Sequence, residues 1–264
     1  MIRPAKERPK RDLFEKLESA IIVLMISRKI TSLQHPTIKL LVKLRTDRSA
    51  RYEHRQVLVV GQKMVAESQK VRQLIVTEEA EIPKLPAEEI LIVSHEAMKK
   101  ITGVESPEPL AAVVDMPPFA DLSRKKFLLV LDGIADPGNL GTLLRTALAL
   151  GWEGAYLLPG TADPYNDKAL RAAKGATFRL PLSTGSVDQL PALKGYIADS
   201  QGEPVHKLSF SSPLMLILGS ESHGPKSFAN TKHTRVSVPM SKEMESLNVS
   251  AAGAILMFAM RSPT

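Results

Sequence analysis

Between positions 36 and 55 the apolar residues Ile38, Leu41, Val42 and Leu44 return at helical spacing. The cations Lys39, Lys43, Arg45, Arg48, Arg51 and Arg55 fill the positions around them, so the stretch predicts a helix with one basic face. Short apolar runs at 57–60, 74–77 and 90–93 predict strands, with a turn at Gly61 and short helices over 63–68 and 95–101. Residues 12–30 also have a helical pattern. Strands alternating with helices predict a small α/β domain in this half.

Pro107, Pro109, Pro117 and Pro118 then interrupt the pattern, with a strand over 110–114 among them, and 114–126 is expected to be a linker. Beyond it the alternation restarts. Strands are expected at 127–131, 154–158, 178–182, 196–199, 214–218 and 235–238, and helices at 140–150, 167–174, 187–193 and 248–260. Repeated βα units predict a parallel sheet with helices on both faces. The expected divisions are a basic tail and helix over 1–31, a first domain over 32–113, the linker, and a second domain over 127–264.

Composition narrows the chemistry. The 264 residues are 44% hydrophobic and 24% charged, which excludes collagen-like, disordered and polytopic membrane classes. No cysteine is present, so disulfides, thiolate metal sites and thiol catalysis are excluded together. The six histidines show no ligand spacing, and no metal is expected. Lys and Arg exceed Asp and Glu by 35 to 28, which points to a polyanionic partner such as nucleic acid. The apolar run 20–26 is far shorter than the roughly 20 residues a bilayer requires, so neither a membrane span nor secretion is expected. The basic stretch 1–11 resembles a transit peptide in charge, but Asp12, Glu15 and Glu18 follow it, leaving cytoplasm or an organelle matrix (mitochondrion or plastid) as locations.

In an open parallel sheet, ligands bind beyond the carboxyl ends of the strands. Three loops at such ends carry chemistry-bearing residues. The first holds Asp132, Gly133, Asp136-Pro-Gly-Asn139-Leu-Gly141 and, on the helix it opens, Arg145. Its glycine spacing fits neither the dinucleotide nor the P-loop pattern. The second reads Leu218-Gly219-Ser-Glu221-Ser-His-Gly224, a carboxylate between two glycines. The third runs from Val238-Pro-Met240 to Ser246-Leu247-Asn248-Val-Ser250. Taken singly, Asn139 reads as a turn former, Glu221 as a surface acid, and Ser246 and Asn248 as helix caps.

In order, spacing and strand context, the three loops resemble the motifs of the SpoU (TrmH-like) branch of the SPOUT superfamily of RNA methyltransferases. Residues 32–70 more loosely resemble that family's ribosomal-L30e-like substrate-binding module. The resemblance implies an α/β sheet whose C-terminal part forms a trefoil knot, with S-adenosylmethionine as cofactor. It implies methyl transfer to a ribose 2′-hydroxyl, with ribosomal RNA favoured. Transfer RNA, or an inactive RNA-binding relative, are the alternatives. By resemblance Arg145, Asn139, Glu221, Ser246 and Asn248 are catalytic, and Leu218, Gly219, Val238, Met240 and Leu247 bind the cofactor. Lys39, Lys43, Arg45, Arg48 and Arg51 are the candidate RNA contacts. The final helix is apolar, with Ala251, Ala252, Ile255, Leu256, Phe258 and Ala259, and the resemblance implies that this region packs at a homodimer interface.

Overall fold

In the computed structural model, which describes residues 27–68, 70–220, 224–229, 231–241 and 243–261, the chain divides between Asp115 and Met116.

The first unit holds a five-stranded sheet in the order β1-β4-β3-β5-β2. Its strands are β1 (Ser27–Ile30), β2 (Gln56–Val60), β3 (Val71–Thr77), β4 (Ala87–Val93) and β5 (Leu110–Asp115). β1, β4 and β3 run parallel, and β5 is antiparallel to both β3 and β2. Residues 27–30 were expected to be helical and are instead strand. Pairing Ile30 with Val93 buries Ile30 to 3% exposure, which a local pattern with one apolar residue in four does not reveal. The rest of the expected basic tail and helix, 1–26, lies outside the described residues.

The predicted helix over 36–55 is two helices, α1 (Pro36–Thr46) and α2 (Arg48–His54). Asp47 breaks the run: its backbone is extended and its carboxylate accepts from Ser49 N at 2.8 Å, capping α2. α3 (Gln62–Ala66) and α4 (His95–Thr102) follow. Ile38, Leu41 and Leu44 of α1 pack with Met98 and Ile101 of α4 against Ile75, Leu91 and Ala111 of the sheet.

The second unit is an all-parallel six-stranded sheet in the order β11-β9-β10-β6-β7-β8. Its elements are β6 (Phe127–Asp132), α5 (Pro137–Ala149), β7 (Gly154–Leu157), α6 (Asp167–Ala173), α7 (Ala176–Arg179), β8 (Leu182–Thr184), β9 (Lys194–Pro204), β10 (Leu214–Gly219), β11 (Thr234–Ser237) and α8 (Val249–Arg261). α5 starts earlier than its apolar pattern because Asp136 caps it, accepting from Asn139 N at 2.9 Å, with Pro137 in the first turn.

Alternate residues of the central strands feed two apolar clusters. Leu129, Leu131, Leu216 and Leu218 face α5 and α8, while Leu128, Val130, Met215 and Ile217 face the other way. The expectation of helices on both faces needs correcting here. Among the described residues the second face is covered by Leu122, Leu190 and Phe228 from loops and 3-10 turns, with no α-helix. The predicted helix over 187–193 shrinks to a 3-10 turn, Val187–Gln189, because Pro191 holds Leu190 extended. Residues 116–126 belong to this second unit, where Ala120 N donates to Leu182 O at 2.7 Å.

Candidate active site

Residues 198–200 in the middle of β9, the carboxyl ends of β10 and β11 and the segment before α8 line a cleft of about 500 Å³. Leu218, Gly219, Val238, Met240, Ser246 and Leu247, all singled out from the sequence, line it together. Asp199, Lys226, Arg235 and Leu256 are among the other residues of its wall. Leu218, Val238, Met240 and Leu256 give one part of the cleft an apolar surface, and Asp199, Arg235 and Lys226 give it ionised groups.

Gly219 is required by packing. A Cβ there would lie 2.0 Å from Pro225 N and 2.1 Å from Gly224 C, so only glycine lets the following loop fold back over the strand end. The fold-back is closed by Gly224 N donating to Ser220 O at 2.8 Å, with Gly224 at φ 63°. Glu221, expected to be catalytic, lies outside the described residues.

Asp132, at the end of β6, anchors the far side of the same loop. This carboxylate is only 6% exposed and accepts from Ser227 N at 2.8 Å and Ser227 Oγ at 3.0 Å. It thereby ties two loops whose residues are 95 positions apart. From the sequence Asp132 is only the first residue of the loop after the strand expected at 127–131, with no role of its own, and Ser227 carries no signal.

Beside the cleft, the starts of α5 and α8 are joined. Asn248 Nδ2 donates to Asn139 Oδ1 at 3.1 Å, and Ser250 Oγ reaches Asn139 Oδ1 at 3.1 Å and its carbonyl at 3.2 Å. Asn248 Oδ1 also caps α8, accepting from Ser250 N at 2.9 Å. The capping and pairing roles of Asn248 coexist in one side chain. Asp136 stands next to this junction with its carboxyl held below the usual range, first by Lys168 Nζ at 2.6 Å and then by Asn139 N.

Arg145 does not line the cleft. It is exposed on α5, about 9 Å along the helix axis from Asn139 at the usual rise per residue. Among the described residues it has no hydrogen-bond or ion-pair partner.

The candidate RNA contacts separate. Lys39, Lys43 and Arg48 are exposed, with Arg48 stacked over Tyr52 at 5.1 Å. Arg45 is half-buried and donates from Nε to Ile101 O at 2.9 Å. Arg51 must be corrected: it is 1% exposed, and Nη1 donates to Leu44 O and Arg45 O at 3.0 Å each. It satisfies the open carbonyls at the end of α1 instead of facing a phosphate. Among the described residues no group of three or more His, Cys, Asp or Glu could hold a metal, and no helix is long and apolar enough to cross a membrane.

Residues 126–258 match the SpoU rRNA Methylase family. The chain belongs to this family. The 23S rRNA (guanosine(2553)-2′-O)-methyltransferase RlmP of Bacillus subtilis is 34% identical over 248 residues, covering 89% of this chain and 99% of that protein. Among solved structures, an RNA 2′-O ribose methyltransferase shares 27% identity and superposes with a TM-score of 0.75, covering 88% of this chain and 98% of the other. The AdoMet-bound rRNA methyltransferase of Sinorhizobium meliloti has the same fold, with a TM-score of 0.77 at 24% identity over 89% of this chain and 97% of the other. The SpoU match begins at β6 and takes in Asn139, Arg145, the cleft and Asn248.

Proposed function

We propose that this SpoU-family chain transfers a methyl group from S-adenosylmethionine to a ribose 2′-hydroxyl of ribosomal RNA. The observation that carries the proposal is the gathering of the second and third motifs around one cleft, with the start of the third motif's helix tied to that of the first through Asn248 and Asn139. Relatives named as 23S rRNA 2′-O-methyltransferases support ribosomal over transfer RNA. They are bacterial proteins, which favours a cytoplasmic location over an organelle matrix.

The cleft fits the cofactor. Its volume lies within the roughly 300–1,000 Å³ of small-molecule sites, its apolar part suits an adenine, and its ionised groups suit a zwitterionic amino-acid end. When bound, S-adenosylmethionine supplies a methyl group activated on a sulfonium. Leu218, Val238 and Met240 exclude water from the nucleoside, Gly219 lets the backbone approach it, and Leu247 covers it. Ser246 and the Asn139–Asn248 pair hold the segment that borders both cofactor and ribose. Arg145 keeps its proton in proteins, so its task is to bind the phosphate next to the target ribose and to polarise the hydroxyl. Glu221 belongs to the same set by its motif.

Finer architecture follows the same reading. Residues 32–113 act as an L30e-like module that presents RNA through Lys39, Lys43 and Arg48. Residues 127–264 act as the methyltransferase domain, to which 116–126 add a packed lead-in rather than a free linker. A trefoil knot in that domain is supported by the fold-back after Gly219 and by α8, which packs on β10 and α5 although β11 lies at the sheet edge. A homodimer through α8 is supported by Ile255 and Phe258, 43% and 63% exposed on an apolar helix. Titration calorimetry with S-adenosylmethionine tests the reading: saturable binding is expected, and no detectable heat at millimolar cofactor rejects it.

A further inference from the structure

One wall of the cleft comes from an irregularity in β9. Up to Ile197 this strand runs in step with its neighbours, Ile197 lying opposite Ile217 of β10 and Arg235 of β11. The next residue of β11, Val236, pairs with Glu203, so residues 198–202 have no counterpart there. Excursions of this kind re-aim side chains beside functional sites. This one is fastened at its far end. A Cβ on Gly202 would lie 2.5 Å from Val236 N, and Ser237 Oγ donates to Gly202 O at 2.8 Å.

The excursion carries Asp199 to the cleft, where it is the only carboxylate among the described lining residues. Its Oδ1 accepts from Gln201 N at 2.9 Å, and its Oδ2 accepts from Arg235 Nη1. A carboxylate offers about four acceptor positions, so these partners aim the group without exhausting it. The Gln201 N–H, and Arg235 after it, hold the carboxyl below its usual range against the opposing effect of burial. At neutral pH it can only accept. The cofactor expected in this cleft carries a net positive charge and donates hydrogen bonds from its ribose and its ammonium.

We propose that Asp199 binds the cofactor directly, accepting hydrogen bonds from a donor group of S-adenosylmethionine, either its ribose hydroxyls or its α-ammonium. Arg235 is then a positioning residue that aims the carboxylate. The proposal rests on the reading of the cleft as the S-adenosylmethionine site.

The test measures affinities of the whole chain and its Asp199→Asn variant for three ligands. These are S-adenosylmethionine, 5′-methylthioadenosine, which lacks the amino-acid end, and 2′,3′-dideoxy-5′-methylthioadenosine, which lacks both ribose hydroxyls as well. A tenfold or greater loss confined to S-adenosylmethionine identifies the ammonium as the donor. A loss shared with 5′-methylthioadenosine but absent for its 2′,3′-dideoxy form identifies the ribose. Equal loss for all three, or no loss for any, overturns the proposal. Asp199→Ser, read the same way, replaces the amide variant if that variant lacks a cooperative unfolding transition. Failure of the unaltered chain to bind S-adenosylmethionine would instead remove the functional reading on which the proposal depends.

Discussion

Asn248 Nδ2 donates to Asn139 Oδ1 at 3.1 Å across 109 positions of sequence, joining the first turn of α5 to the residue that caps α8. The same Asn248 side chain thus does two separable things, and they predict different outcomes. Asn248→Asp keeps the oxygen that accepts from Ser250 N, so thermal stability should change by less than ~1 kcal/mol. It also sets one acceptor against another at Asn139, so methyl transfer should fall more than tenfold. Asn248→Ala should lose the cap as well, at a cost of about 1 kcal/mol. Thermal melts beside rate measurements check both.

Gly219→Ala should weaken S-adenosylmethionine binding by at least tenfold, about 1.4 kcal/mol. The added methyl would meet backbone at 2.0–2.1 Å, and backbone cannot turn aside as a flexible side chain does. Calorimetry with the purified variant measures this, and unchanged affinity would show that the loop after β10 does not shape the cofactor site.

The Asp132–Ser227 clamp should matter through the same loop. Ser227→Ala removes the hydroxyl donor but keeps the backbone one, so a modest rise in KM for S-adenosylmethionine is expected with kcat nearly unchanged. Asp132→Ala abolishes both contacts and should raise KM further. Steady-state kinetics at varied cofactor separates the two effects.

In the first unit, Arg72 of β3 grips Asp115 of β5 through Nε to Oδ1 at 2.7 Å and Nη2 to Oδ2 at 3.1 Å. Arg72 holds the Asp115 carboxyl below its usual range, with Lys70 adding to the effect and burial opposing it. A folded value below the unfolded one contributes stability above the ordinary carboxylate value of about 4, and this is lost as pH falls through the lower folded value. The pair is a third exposed on each side, so the effect should be small and reduced by salt. Melts of the protein and of Arg72→Met between about pH 3 and 7 should converge at the acid end.

Much of this arrangement was legible in the sequence because its causes are local. The unbroken apolar runs of β6 and β10 make a sheet buried on both faces, and the glycine at 219 marks a close backbone approach. What escaped depends on distant partners. Ser27–Ile30 has too few apolar residues to show as a strand until β4 lies beside it. The break at Asp47 is made by a side-chain cap within a helical pattern that continues unchanged. Arg51 has the charge of a phosphate contact, but it is spent on two carbonyls of α1. The excursion that delivers Asp199 exists only as a mismatch between β9 and β11. The pairing of Asn139 with Asn248 was anticipated only as part of a family resemblance, since no local spacing links residues 109 positions apart.

The most direct test incubates the chain with S-adenosylmethionine labelled on its methyl group and with unmodified 23S ribosomal RNA, then hydrolyses the RNA in alkali. A 2′-O-methyl group blocks cleavage at its own nucleotide, so the label is predicted to appear in an alkali-resistant dinucleotide. It should be lost in Arg145→Ala, which should still bind the cofactor. No transfer to RNA, or label found only in single nucleotides carrying a methylated base, would contradict the account.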